Sequence, residues 1–182
     1  LEGAQLGPLD LRETVLVQSN LTGAELTGAD FTGQGLSSVT FLGATMRQCI
    51  LHRVQCEGGD FSECDLRMAE FHHAHMPGSE FFQASVEGAK FHGTMLEDSS
   101  FREVKGRSVE FISARLVHTD FNGAELAASS FESSDLSKSD FDQVNLEGAR
   151  LIDATFVQSS MRGAQLNKAK LRGQVMIDAD LA

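Results

Sequence analysis

The sequence has no tryptophan, no tyrosine, two prolines and three cysteines in 182 residues, yet it holds thirteen phenylalanines and seventeen glycines. Each scarcity narrows the field. A globular enzyme usually spreads its aromatic residues over all three types, so a chain that uses only Phe has positions demanding one particular shape. The cysteines, Cys49, Cys56 and Cys64, are odd in number and lack zinc-type pairing, which points to a reducing compartment and away from a disulfide framework. Basic residues are also short: 15 Lys plus Arg face 26 Asp plus Glu, a net charge of −11. That balance disfavours direct contact with nucleic acid or an anionic membrane and favours a basic partner surface. No apolar run approaches the roughly 18 residues of a membrane span. The opening "LEGAQLGPLD" is neither basic nor continuously apolar, unlike a signal peptide. Because the chain begins with Leu1 and not Met, it reads as a piece of a longer protein.

Catalytic signatures are missing too. The sequence contains no G-x-G-x-x-G, no P-loop, no H-E-x-x-H and no nucleophile motif, so no catalytic or cofactor-binding residue and no cofactor is expected. What is present is a metre. Of the 37 positions taken every fifth residue from Leu1 to Leu181, all are Leu, Phe or Met except Cys56, Val86 and Gly106. Two residues before each lies a small one: 33 of those 36 positions are Ala, Ser, Thr, Val, Cys or Gly, the exceptions being Leu9, Gln34 and Gln174. An unbroken fixed period marks a repeat architecture.

Calling the large residue i, the alternation of small inward i−2, polar outward i−1, large inward i and outward i+1 is that of a very short strand. Position i+2, often Gly, turns a corner. Phe recurs at i mostly every ten residues, so the coil has an even number of sides. Two sides enclose no core, and four is the simplest choice, giving twenty residues per coil. Phe ladders then line two opposite walls, with Leu, Met or Val on the other two. Gly106 interrupts a core column, with Val104 and Val109 large enough to refill the space; Gly106→Leu is therefore expected to be tolerated or mildly stabilising.

The segments "GADFTG", "SSDLSKSDFDQ" and "QVNLEGARL" match A-[DN]-[LF]-[ST]-x, and the chain resembles the pentapeptide-repeat family over essentially its whole length. The resemblance implies an all-β fold: a right-handed quadrilateral β-helix, a solenoid of about nine coils and one domain over 1–182, roughly 43 Å long at ~4.8 Å per coil. It also implies a bacterial cytoplasmic protein, with a secreted effector as the other setting. Aspartate at i−1 is a habit of the family and reads as a solvated repeat position.

Within this frame the segment "FHHAHM", residues 71–76, becomes one side and a corner. His52, His72 and His92 are twenty apart at i+1 and form a ladder. Adjacent rungs permit a zinc ion, with Glu70 or His73 assisting, without demanding one; these three histidines are the weak metal candidates of a chain otherwise read as metal-free. Stacked imidazoles resist joint protonation, so at least one pKa should be depressed. The three cysteines, all at inward positions, read as buried small hydrophobes.

Sorting outward residues by face gives the partner map. The face centred on Phe41 and Phe61 carries Glu2, Asp60, Glu80, Asp120, Asp140, Asp142 and Asp180 against Arg102 and Arg162, a balance of −5. The face opposite the Leu66 column is poor in charge and carries Val15, Val17, Val117, Val157, Val175 and Ile177. Phe82 is the only Phe outside position i, expected beside Leu42 and Arg102 with His75 and Pro77 around the corner; Leu42, His75, Pro77, Phe82, Val157, Val175 and Ile177 are the candidate partner contacts. Two functions follow. The first is a non-enzymatic protein-binding scaffold, a rigid module of a larger bacterial effector or secretion-system adaptor, with end-on or C-terminal self-association as a further option. The second, implied by the resemblance, is mimicry of DNA toward DNA gyrase, causing inhibition or quinolone protection. Eleven charges over ~43 Å give one per ~4 Å, against one per ~1.7 Å in duplex DNA, so the mimicry would be weak.

Overall fold

The computed structural model describes residues 1–180. Parallel bridges join residues twenty apart, from Gln5–Glu25 through Glu70–Lys90 to Ser160–Asp180, every one at position i−1. The coil is four-sided, and its four inward columns can be named by members of one coil: Phe81, Val86, Phe91 and Leu96. The two Phe columns face each other. Within a column, neighbouring rings stack with centroids 4.4 to 5.2 Å apart and planes within 20°, as in Phe81–Phe101 and Phe101–Phe121. Across the core the two columns meet edge to face, Phe101 and Phe111 at 5.4 Å and 85°. Both arrangements suit the ring quadrupole. Each fully buried Phe contributes on the order of 1.5–3 kcal/mol through area removed from water.

The backbone donors of one repeat can be followed completely. Phe121 N–H donates to Asp140 O at 2.7 Å and Gly123 N–H to Asp142 O at 3.0 Å on the next coil; Glu125 N–H donates to Val104 O at 2.9 Å on the previous one; Ala124 N–H closes the corner onto Phe121 O at 2.9 Å. The remaining donor, Asn122 N–H, goes to Oδ1 of Asp120 at 2.8 Å. The same cap recurs from Asn20, Asp30, Asp60, Asp135, Asp140 and Asn145. The i−1 carboxylates are thus not simply solvated. They satisfy the one N–H that neither the coil nor the corner can reach.

Corners place i+2 in the left-handed region, at thirteen glycines and at twenty-one other residues with φ between 54° and 66°. Glycine is therefore favoured there but not required. None of the twenty-one is Val, Ile or Thr, whose branched Cβ makes that conformation most costly.

Inward i−2 residues do more than fill space. Ser79 Oγ donates to Cys56 O at 3.0 Å, Ser99 Oγ to Met76 O at 3.2 Å and Thr119 Oγ1 to Leu96 O at 3.0 Å, each to the coil before. Cys49 and Cys64 make the same contact with Leu26 O and Phe41 O, both at 2.9 Å. Gln34, an exception to the small-residue rule, keeps the bond with its amide, 2.8 Å from Leu11 O. All three cysteines are buried, and burial pushes each thiol up to about 12.

Gly106 departs from expectation. A Cβ there would lie 2.8 Å from both the carbonyl carbon and Cγ2 of Val86 and 2.9 Å from Glu87 N. The backbone has moved into the space a side chain would take, so there is no vacancy for Val104 and Val109 to refill. The corner that follows is a bend; Val109 N–H donates to Ser129 Oγ at 3.0 Å. Outside, the indentation is a recess of about 380 Å³ lined by Arg67, Lys105, Arg107, Glu87 and Glu125 among others.

Candidate functional site: the histidine column and the neighbouring faces

His52, His72 and His92 rise along the outside of the Phe91 wall, their ring centroids 4.8 and 4.6 Å apart. The rings are not parallel: adjacent planes are tilted by 57° and 64°. Acidic neighbours at i−1 account for the partners each ring takes. His52 Nε2 lies 3.1 Å from Glu70 Oε2, and His72 Nε2 lies 3.8 Å from the same oxygen. His92 Nε2 is 2.5 Å from Glu110 Oε2. Lys90 Nζ holds the other Glu70 oxygen, Oε1, at 2.9 Å. The three-rung ladder therefore divides: Glu70 joins the lower two histidines, and the third has its own acid.

Burial first, then the like charges of His92 and His52, pull the His72 pKa below its ordinary value. Glu70 is held below the usual carboxylate range, chiefly by the hydrogen bond from Lys90. His73 takes a left-handed corner at φ 57°. Its Nδ1 leans over Gly93, where a Cβ would come within 2.7 Å. Thr32, His52, Arg53, His72 and His73 line a surface recess of about 300 Å³.

Glu110 and Lys90 were not among the predicted site residues, but a signal for the first was available. Outward side chains pair at a separation of eighteen: Arg47–Asp65, His52–Glu70, His92–Glu110, Glu97–Arg115, Arg102–Asp120, Glu132–Arg150 and Arg162–Asp180. Position i+1 of one coil meets i−1 of the next, so opposite charges eighteen apart can be read from the sequence once the coil length is known.

The other predicted contacts divide as well. Phe82 and Leu42 are each 36% exposed. Leu42, Ser62, Phe82 and Arg102 follow one another in a single column, so Leu42 is two coils from Phe82 and Ser62 stands between them. Arg102 gives its guanidinium to Asp120 at 3.1 Å. Around the corner, His75 Nδ1 contacts Met95 Sδ at 3.3 Å, while His75, Pro77 and Val157 are half-buried. Val175 and Ile177 are exposed. Of the six acidic-face candidates Glu80 is exposed, and Asp60, Asp120, Asp140, Asp142 and Asp180 are half-buried. Their carboxylates are engaged: Asp60, Asp120 and Asp140 cap backbone N–H groups, Asp142 accepts from Ser160 and from Arg162 N–H, and Asp180 pairs with the Arg162 guanidinium at 2.6 Å.

A family model described as "Pentapeptide repeat region" matches residues 49–131 and 74–151, and one described as "Pentapeptide repeats (8 copies)" matches 1–33 and 139–173. The chain belongs to the pentapeptide-repeat family. Comparison with curated protein sequences gives no match. Among solved structures, two trypsin-treated forms of QnrB1, a plasmid-mediated fluoroquinolone resistance protein, are similar at 20% identity. One has a TM-score of 0.55 with 96% of this chain and 92% of that one covered; the other has 0.54 with 93% and 87%. HetL, a pentapeptide-repeat protein involved in heterocyst differentiation regulation from the cyanobacterium Nostoc, is 24% identical over 88% of this chain and 82% of its own, at a TM-score of 0.41. The pentapeptide-repeat fold, a right-handed quadrilateral β-helix, is shared with the two QnrB1 forms.

Proposed function

We propose that this pentapeptide-repeat chain is a non-enzymatic, rigid protein-binding rod, the docking module of a larger bacterial effector or adaptor. The observation that supports it is where the exposed apolar side chains fall. Of the exposed large apolar side chains among the described residues, Val15, Val17, Met95, Val175 and Ile177 lie outside the Leu96 wall and Leu1, Leu42 and Phe82 on the next face around its edge, while Leu9, Met68 and Leu171 fall elsewhere. Apart from Met95, whose Sδ meets His75 Nδ1 of the coil before, these side chains serve neither the core nor the inter-coil hydrogen bonds. Apolar residues gathered on one side of a soluble rod are what a protein partner would cover.

The test is site-specific photocrosslinking in the native host. A crosslinker at position 82 or 177 should capture one discrete protein, and one at Thr27, outside the Val86 wall opposite the Leu96 wall, should not. Phe82→Ser should abolish capture from position 177 if both contact the same partner. Equal labelling from all three positions would refute the docking face.

A second reading, a DNA-like acidic rod acting on gyrase, draws on the net charge of −11. Against it, Arg102 and Arg162 pair with Asp120 and Asp180 on the most acidic face, which dilutes the continuous negative field that a duplex presents. Inhibition of gyrase supercoiling, or quinolone protection, at micromolar protein would favour this second reading over the first.

A further inference from the structure

We propose that His52, Glu70 and His72 form a surface site for a borderline divalent cation of the zinc class. A tetrahedral ion with ligands at about 2.0–2.1 Å places those ligand atoms about 3.3 Å from one another. Glu70 Oε2 already stands 3.1 Å from His52 Nε2 and 3.8 Å from His72 Nε2, on either side of that separation. All three ligand atoms lie within 4.8 Å of one another. Small side-chain rotations would bring them onto one centre, and the backbone need not move.

The supporting contacts fit the same assignment. Lys90 ties up Oε1 of Glu70 and leaves Oε2 toward the histidines, as an outer partner orients a ligating carboxylate. The helical rise brings in the second imidazole from a different coil, so the site exists only in the folded rod. His92, next in the column, is committed to Glu110 and stands outside the set. Beside the two imidazoles the recess lined by Thr32, Arg53 and His73 leaves room for water at an open fourth position. Two imidazoles with one carboxylate suit zinc; hard Mg²⁺ or Ca²⁺ would ask for more oxygen ligands, and Cu(I) for sulfur.

The experiment is calorimetric titration of Zn²⁺ into the metal-free protein at neutral pH. One ion per chain is expected, with H52Q, E70Q and H72Q each weakening it at least about tenfold, and H92Q and H118Q changing it less than about twofold. Absence of saturable binding in the wild type, persistence in E70Q and H72Q, or equal loss in H92Q would overturn the site. A second readout does not depend on the variants folding. In long-range ¹H–¹⁵N spectra of the wild type, equimolar Zn²⁺ should shift Nε2 of His52 and His72 and leave His92 and His118 in place; a shift at His92 with none at His52 would also overturn it.

Discussion

Replacing Gly106 by alanine adds one methyl group to a wall that has closed on itself. The new Cβ would meet Val86 C and Cγ2 at 2.8 Å and Glu87 N at 2.9 Å, about half an ångström inside ordinary contact. Two of those three atoms are main chain. They belong to a coil anchored by Val86 N–H to Lys105 O at 2.8 Å before the glycine and by Gly88 N–H to Arg107 O at 3.0 Å after it, so relief requires stretching inter-coil bonds on both sides of the glycine. Overpacking of this kind costs about 1–3 kcal/mol. Alanine restricts the unfolded chain and offsets about 0.4–1 kcal/mol of that. The expected net loss is roughly 1–2 kcal/mol, rising to about 3 kcal/mol for Gly106→Leu. Urea unfolding followed by far-UV circular dichroism, with an unchanged slope, measures it directly. Gly35→Ala is the control: its Cβ meets nothing within 4 Å and its φ is ordinary, so it should gain about 0.4–1 kcal/mol. Val86→Ala removes one of the three clashing atoms and should recover at least about 0.5 kcal/mol of the Gly106→Ala loss in a double-mutant cycle. If Gly106→Ala unfolds at or above the wild-type midpoint while Gly35→Ala behaves as stated, the wall relaxes freely and the close-approach reasoning fails.

Two further outcomes rest on charge. The hydrogen bond from Arg67, with Arg47 also contributing, holds the Asp65 carboxyl at about 2. Its folded pKa is thus below its unfolded value near 3.9, so its contribution to stability is present above about pH 4 and lost as pH falls toward 2. Arg67→Ala should raise the Asp65 midpoint by carbon-detected NMR and flatten the stability profile over that interval; an unmoved midpoint would remove the guanidinium as its cause. For the histidine column, His72 in metal-free protein should titrate below the ordinary value near 6.5. His92→Gln should move it upward only in part, since burial, the larger cause, remains. A midpoint at or above 6.5 would refute both the burial and the like-charge argument.

The five-residue metre was enough to derive the coil length, the two Phe walls, the burial of Cys49, Cys56 and Cys64, and the alignment of His52, His72 and His92. Those properties depend only on which side of a strand a residue faces and on how many residues close a coil, and both are periodic. Gly106 shows where periodicity stops. A glycine in a core column reads as a gap, whereas the backbone can move in to close it. The i−1 aspartates show the same limit, because their role depends on an N–H direction that side-chain spacing does not encode. So does the histidine column: the metre aligns three rings, but whether Glu70 reaches His52, His72 or Lys90 is decided by rotamers and by the diagonal offset between coils. Inward or outward, and which rung, are one-dimensional facts that a regular repeat writes into the chain. Close approach of main chain to main chain, and the choice among competing hydrogen-bond partners, arise only when the coils are stacked in three dimensions.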